Sequence, residues 1–220
     1  MAGSRDPLNN PFYQAILVDG SAENYDRWAK EYDADVKSMN YTAPQNVCAK
    51  WKSYHAQLLS RSEGEAGSSS SAKHRIFDAG CGTGMVGEHL VTLVPSGLID
   101  IYGGDLSPES VEIAKTKKVY ANLKVLNLKK ALPYDAETFD SIVCVGTFLQ
   151  GHCGRECVPN LVCVLKKGCY MIATIRKKFY GETKAEWDKQ ISECNCKLVE
   201  EGEIPYHGDT EAVFIVIQKQ

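Results

Sequence analysis

The residues best placed to do chemistry sit in one stretch, FDAGCGTGMVGEHL over residues 77–90, where an apolar run meets a glycine-rich turn and then a helical pattern. Gly82, Gly84 and Gly87 spell G-x-G-x-x-G, and Asp105 stands further on at the end of the next apolar run, so a dinucleotide-binding enzyme is one reading. A second frame starts at Asp78 and runs Asp78-x-Gly80-x-Gly82-x-Gly84. Glycines serve both frames, because each lets the backbone approach a ligand and turn sharply into a helix. Asp78 separates them. A dinucleotide brings its pyrophosphate to this helix start, where a carboxylate at the strand tip repels it and gains no partner. The plain structural alternative is a strand-to-helix turn in which Asp78 only caps the helix.

Read from Asp78, the run resembles motif I of class I methyltransferases. Their cofactor, S-adenosylmethionine, carries a sulfonium and an ammonium at this place and no phosphate, so an acid favours it either directly or through water. Asp105 closes LIDIYGGD, where a carboxylate can take both ribose hydroxyls of a nucleoside; the alternative is a cap for the helix that follows, for which Ser107 is better placed. The segment LPYDAETFDSIVCVGTF (132–148) resembles the family's stretch through the fourth strand. A closer likeness is to the small methyltransferase-like family named for the Williams–Beuren syndrome chromosomal region, through YDRWAKEYDADV (25–36), YTAP (41–44), GTF with GH (146–148, 151–152) and the arginine of TIRKKFY.

The resemblance implies a set of site residues. Asp78, Gly80, Gly82, Gly84, Asp105 and Leu106 would bind the cofactor. Asn127 stands where the family commonly has an acid for the adenine amino group, followed by Leu128, and an amide oxygen can accept the same bond. Gly146 and Thr147 would lie beside the methionine part, while Tyr25, Trp28 and Tyr32 resemble an aromatic helix that closes over it. Spacing alone also suits those three as the buried stripe of an amphipathic helix. His152 and Asp33 are the candidate bases, and His152 with Arg176 the candidate contacts to the methyl acceptor. His152 can equally be a loop histidine bonded to backbone, and Arg176 a solvated charge beside Lys177 and Lys178. S-adenosylhomocysteine would be the product. A protein methyltransferase and a non-catalytic cofactor-binding protein are the other functions this pattern allows, since fold alone does not separate them.

These residues need elements to hold them. The chain of 220 residues suits a single α/β domain. From Lys73 onward, short apolar runs alternate with helical segments: HRIFDA (74–79), LIDIYGG (98–104), LKVLNL (123–128), SIVCVG (141–146) and CYMIATIR (169–176). Ser107 and Pro108 predict a helix start, and Thr183 with Glu186 predicts a capping box opening a helix through Trp187 and Ile191. KLVEEGEIPYH and EAVFIVIQKQ are separated only by GDT, which demands a hairpin. The expectation is a Rossmann-like class I methyltransferase fold, with a mostly parallel seven-stranded sheet over 74–220. Residues 1–61 form an N-terminal helical lid region and 62–73 a flexible linker. The lid contains a helix near 21–40 capped by Ser21 and a second after Pro44 with Val47, Trp51, His55 and Leu58/Leu59 on one face.

A net charge of −3 without a Lys/Arg block argues against a nucleic-acid partner. No apolar run approaches the roughly 20 residues of a bilayer span, so no membrane partner is expected and the cytosol is the default location. Nine scattered cysteines read as reduced thiols. His152, Cys153, Cys157 and Cys163 lack the paired spacing of a zinc site, so no metal is expected. The expected partner is a small-molecule substrate, and the pattern does not specify an oligomeric state.

Overall fold

The structure is a computed structural model that describes residues 10–56, 73–95, 97–207 and 210–220. Seven strands form one sheet: β1 (His74–Ala79), β2 (Ile99–Asp105), β3 (Asn122–Val125), β4 (Phe139–Phe148), β5 (Leu165–Arg176), β6 (Cys196–His207) and β7 (Thr210–Lys219). Their order is β3-β2-β1-β4-β5-β7-β6. The first five run parallel, whereas β7 is antiparallel to β5 and β6 antiparallel to β7. The expected hairpin forms, with His207 opposite Thr210; Gly208 and Asp209 lie outside the described residues.

Central strands read as unbroken apolar runs because both sheet faces are covered. Ile142–Val145 and Met171–Ala173 are buried throughout. On one face Phe77, Phe139, Leu161, Met171 and Trp187 pack with α6 (Val158–Val164) and α7 (Lys177–Glu193). On the other, Ile76, Val143 and Ile172 pack with Val47 and Trp51 of α3 (Ala43–Tyr54) and Leu90 of α4 (Met85–Leu93). The edge strand β6 alternates exposed and half-buried residues and carries Lys197, Glu200, Glu201 and Glu203, charges that discourage further strand pairing.

Local signals place most helix starts. Ser107 caps α5 (Pro108–Thr116) by accepting from the Ser110 N–H, with proline at the first helical turn. At α2 (Ala22–Ser38) Ser21 occupies the cap position, but its side chain makes no capping bond. The capping box at Thr183 does not form. α7 begins six residues earlier at Lys177, and the Thr183 hydroxyl bonds back to the Phe179 carbonyl inside the helix. α1 (Pro11–Val18) has no counterpart in the sequence reading; Asn10 caps it through the Phe12 N–H. Leu58, Leu59 and nearly all of the Ser-rich stretch 62–73 lie outside the described residues.

At the amino-terminal end of the sheet, Ser141 joins the buried Trp51 ring and the half-buried His74 ring: its Oγ accepts from Trp51 Nε1 at 2.9 Å and bonds His74 Nε2, also at 2.9 Å. Burial and the neighbouring His55 ring, 4.9 Å away, hold the His74 pKa down at about 4. An unfolded chain protonates this histidine near pH ~6.5 while the folded chain does not, so stability present at neutral pH is lost as the pH falls towards 4. Urea unfolding at pH 7 and pH 5 is expected to show a larger loss for the wild type than for His74→Asn; parallel losses would remove His74 from this role.

Candidate active site

The strand order reverses between β1 and β4, and ligands of such sheets bind beyond the carboxyl ends at that point. A cavity of about 320 Å³ opens there. The turn after β1 forms one wall. Gly80, Gly82 and Gly84 all have positive φ, at 74°, 51° and 95°. The turn is bonded to β2 by Gly80 N–H and Cys81 N–H to the Gly104 carbonyl, at 2.8 and 3.1 Å. The three glycines do different work. A Cβ on Gly80 would lie 2.1 Å from Thr147 Oγ1, a Cβ on Gly84 would press on Tyr120, and one on Gly82 would meet nothing within 4 Å.

Asp105 ends β2 with its carboxylate in the cavity wall. One oxygen accepts from the Gly82 N–H at 2.8 Å and the other from the Ser107 N–H at 2.9 Å. Burial raises its pKa, and the backbone donors of Ser107, Gly82 and Leu106 oppose that rise. With those donors in place the carboxylate still keeps lone-pair capacity for a ligand hydroxyl. Beyond it, Leu106, Asn127 and Leu128 line the same end, and Gly146 with Thr147 line the tip of β4. Asn127 Oδ1 already accepts from the Lys129 N–H at 2.9 Å, which fixes the amide beside the wall.

Tyr25, Trp28 and Tyr32 of α2 line the cavity and also belong to a small apolar cluster with Tyr13 and Ile16 of α1. The stripe and the wall are thus one surface. α2 is bonded to the core at two points: Asp26 accepts from the Ser107 hydroxyl and the Glu109 N–H, and Asp33 from the Thr83 hydroxyl and Lys117.

Three expected site residues do not line the cavity: Asp33, Asp78 and Gly84. Asp33 is turned to Thr83 and Lys117, so it has no access to a reacting proton. Asp78 is fully buried behind the turn, where Oδ2 accepts from the Tyr120 hydroxyl at 2.7 Å and Oδ1 has no partner. Burial raises its pKa to about 7, outweighing the Tyr120 bond. Its one side-chain bond leads through Tyr120, whose hydroxyl also accepts from the Gly87 N–H of α4.

His152 does line the cavity, yet its geometry argues against a base. Nε2 lies 2.7 Å from the Ile16 carbonyl, which can only accept, so Nε2 carries the proton; Nδ1, 3.0 Å from the Tyr25 hydroxyl, accepts from it. Both nitrogens are engaged, and burial holds the ring neutral by lowering its pKa. The ring ties α1, α2 and the loop after β4 together.

Arg176, at the end of β5, reaches the cavity with Nη1 3.1 Å from His207 Nε2 and its guanidinium 5.3 Å from the Tyr206 ring centre. Tyr13, Tyr41, Tyr206 and His207 are lining residues that the sequence reading does not single out. Tyr206 and His207 sit at the end of an edge strand, and only the β6–β7–β5 register carries them beside Arg176.

Two substitutions separate support from access. Gly80→Ala is expected to lower the melting temperature by several degrees, because its methyl collides with Thr147 in addition to about 1–2 kcal/mol of left-handed strain. Gly82→Ala carries only that strain, but projects a methyl into open cavity and is expected to weaken ligand binding much more than Gly80→Ala per degree of melting temperature lost. Equal stability of the two variants would contradict this division.

The family described as "Methyltransferase domain" matches residues 76–168. A human relative, methyltransferase-like protein 27, is 31% identical over 153 residues, which cover 69% of this chain and 56% of that protein. The chain therefore spans little more than half the length of this relative. Among solved structures, the magnesium protoporphyrin IX methyltransferase of Synechocystis with bound S-adenosylmethionine superposes with a TM-score of 0.66 at 15% identity, over 100% of both chains. A methyltransferase from Aquifex aeolicus gives 0.57 at 16% identity, over 87% of this chain and 97% of that one. Residues 76–168 are thus similar to the methyltransferase domain family, and the seven-stranded sheet is that of the class I methyltransferase fold.

Proposed function

We propose that the chain is an S-adenosylmethionine-dependent methyltransferase acting on a small-molecule acceptor that carries an acidic group. One observation carries the reading. Gly80, Gly82, Asp105, Leu106, Asn127, Leu128, Gly146 and Thr147 meet around one cavity at the strand-order reversal, with the Gly82 position open to receive a ligand. The donor set fits a nucleoside bearing positive charge. It offers Asp105 to hydroxyls, apolar Leu106 and Leu128 to a flat base, and electron-rich tyrosines and Trp28 to a cation. The kinship with the family named for the Williams–Beuren syndrome chromosomal region belongs to this proposal and rests on the N-terminal aromatic helix and the GTF and GH positions.

When bound, the cofactor would supply a methyl group already activated by its sulfonium. The protein's own task is then placement and exclusion of water. α1 and α2 roof the cavity, and His152 holds that roof to the loop after β4. Arg176 would hold the acceptor's acidic group, and no side chain is assigned as a base. The nine free thiols suit a reducing compartment, in keeping with the cytosol. No described helix is long and apolar enough to cross a membrane.

Calorimetric titration is expected to show binding of S-adenosylmethionine and S-adenosylhomocysteine and none of NAD. Asp105→Ala is expected to weaken the former by roughly 1.5–3 kcal/mol. Binding of NAD alone would overturn the reading.

Transfer itself is tested with methyl-labelled cofactor and a size-fractionated metabolite extract, followed by mass identification of labelled products. With the acceptor in hand, Arg176→Lys is expected to raise KM while leaving cofactor affinity and Tm nearly unchanged, because an ammonium cannot copy the guanidinium fork. Unchanged activity of Arg176→Ala would remove the residue from the site.

A further inference from the structure

Arg176 is half-buried in the cavity wall, and among the described residues no carboxylate pairs with it. Its partners are neutral. His207 Nε2 faces the guanidinium at 3.1 Å, and a guanidinium can only donate, so this nitrogen is an unprotonated acceptor. The Tyr206 ring lies beneath the same guanidinium. A positive charge whose near neighbours in the wall are neutral leaves a place for an anion presented from the cavity.

A second donor converges on that place. The hydroxyls of Tyr41 and Tyr206 meet there, and burial keeps both as phenols, so the Tyr206 O–H can turn to a ligand. Both oxygens crowd the tip of β4, at 2.5 and 3.2 Å from where a Cβ on Gly146 would stand. This end of the cavity lies three strands away from Asp105, since β1 and β4 stand between β2 and β5.

The rest of this end is aromatic or apolar. Trp28 packs against Tyr13 and Tyr32 with ring centres 5.3 and 4.7 Å apart, Tyr41 against Tyr206 at 5.0 Å, and Val36 and Met39 fill between. Such walls suit a flat ring and offer little to a sugar or a peptide backbone, whose many polar groups would go unsatisfied.

We propose that the acceptor is a small aromatic carboxylic acid, its carboxylate bound between Arg176 and the Tyr206 hydroxyl and its methylated atom a separate nitrogen or oxygen on the ring. This deepens the function proposed above and rests on it. The carboxylate is a handle: two donors stabilise its charge in the ground state, and that charge would be lost in forming an ester, so they oppose its own methylation. In the transfer, the lone pair of the ring substituent forms the new bond to the methyl carbon. The carbon–sulfur bond breaks with its electron pair passing to sulfur, and the proton of the substituent N–H or O–H leaves to water.

The test uses the full chain saturated with S-adenosylhomocysteine, titrated by ligand-observed NMR with benzoate, cyclohexanecarboxylate and benzylamine. Benzoate is expected to bind at least tenfold more tightly than either of the others. Tyr206→Phe and Arg176→Gln are each expected to weaken benzoate at least fivefold, with S-adenosylhomocysteine affinity unchanged. Benzylamine binding as well as benzoate, cyclohexanecarboxylate matching it, or benzoate unaffected by both variants would overturn the proposal. The wild-type comparison among the three probes decides the matter even if a variant fails to fold. Saturation with S-adenosylhomocysteine but no benzoate binding overturns this inference alone, whereas failure to bind S-adenosylhomocysteine overturns the cofactor reading and this one with it.

Discussion

The glycine turn after β1 has to pass under the tip of β4 without a side chain, and the rest of the site depends on that passage. Gly80 lies so close to Thr147 that no Cβ fits between them, while its N–H is bonded to the last residues of β2. The turn is thereby clamped between two neighbouring strands. Asp105 completes the clamp from its side chain, accepting from Gly82 and from the start of α5 at once. One carboxylate joins the turn, the second strand and the next helix, so the cavity wall is rigid before any ligand arrives.

Burial sets the charge state of this region more than ion pairing does. Desolvation raises the proton affinity of both Asp78 and Asp105, with Asp105 adding to the rise on Asp78, which is held at a pKa of about 7 with one oxygen unpartnered. His152 and His207 are held neutral, the latter at a pKa of about 4 by burial and by Arg176. The tyrosines of the wall, Tyr25, Tyr41 and Tyr206, are all pushed up by burial and remain phenols. Such a lining is rich in neutral dipoles and poor in bases. It suits a reaction in which the methyl donor is already activated and the protein orients the partners.

The roof over the cavity is attached, not merely laid on. Asp26 reaches the start of α5, Asp33 reaches Thr83 and Lys117, and Asn10 bonds to Asp35, which also accepts from the Trp28 indole. The expected helical lid region is thus bonded to the core through Asp26 and Asp33. Its aromatic residues are buried in their own cluster and exposed to the cavity by the same orientation.

The alternation of apolar runs, the short GDT connection and the glycine spacing after Asp78 determined the sheet, its antiparallel edge and the turn that lines the cavity, because each is a local pattern with a direct geometric outcome. The same local view misplaced the start of α7, where Thr183 sits within a helix whose packing through Tyr180 and Trp187 extends it back to Lys177. It also missed α1 altogether, a short helix held by contacts with α2. What only the tertiary structure decided is which side chains face each other across long separations. Asp33 lies on the expected helix but turns to Lys117, His152 follows the expected strand but has both nitrogens taken by Ile16 and Tyr25, and Tyr206 and His207 reach Arg176 only through strand register. Side-chain direction and hydrogen-bond partners at such distances are set by packing, for which neither periodicity nor motif spacing carries a signal.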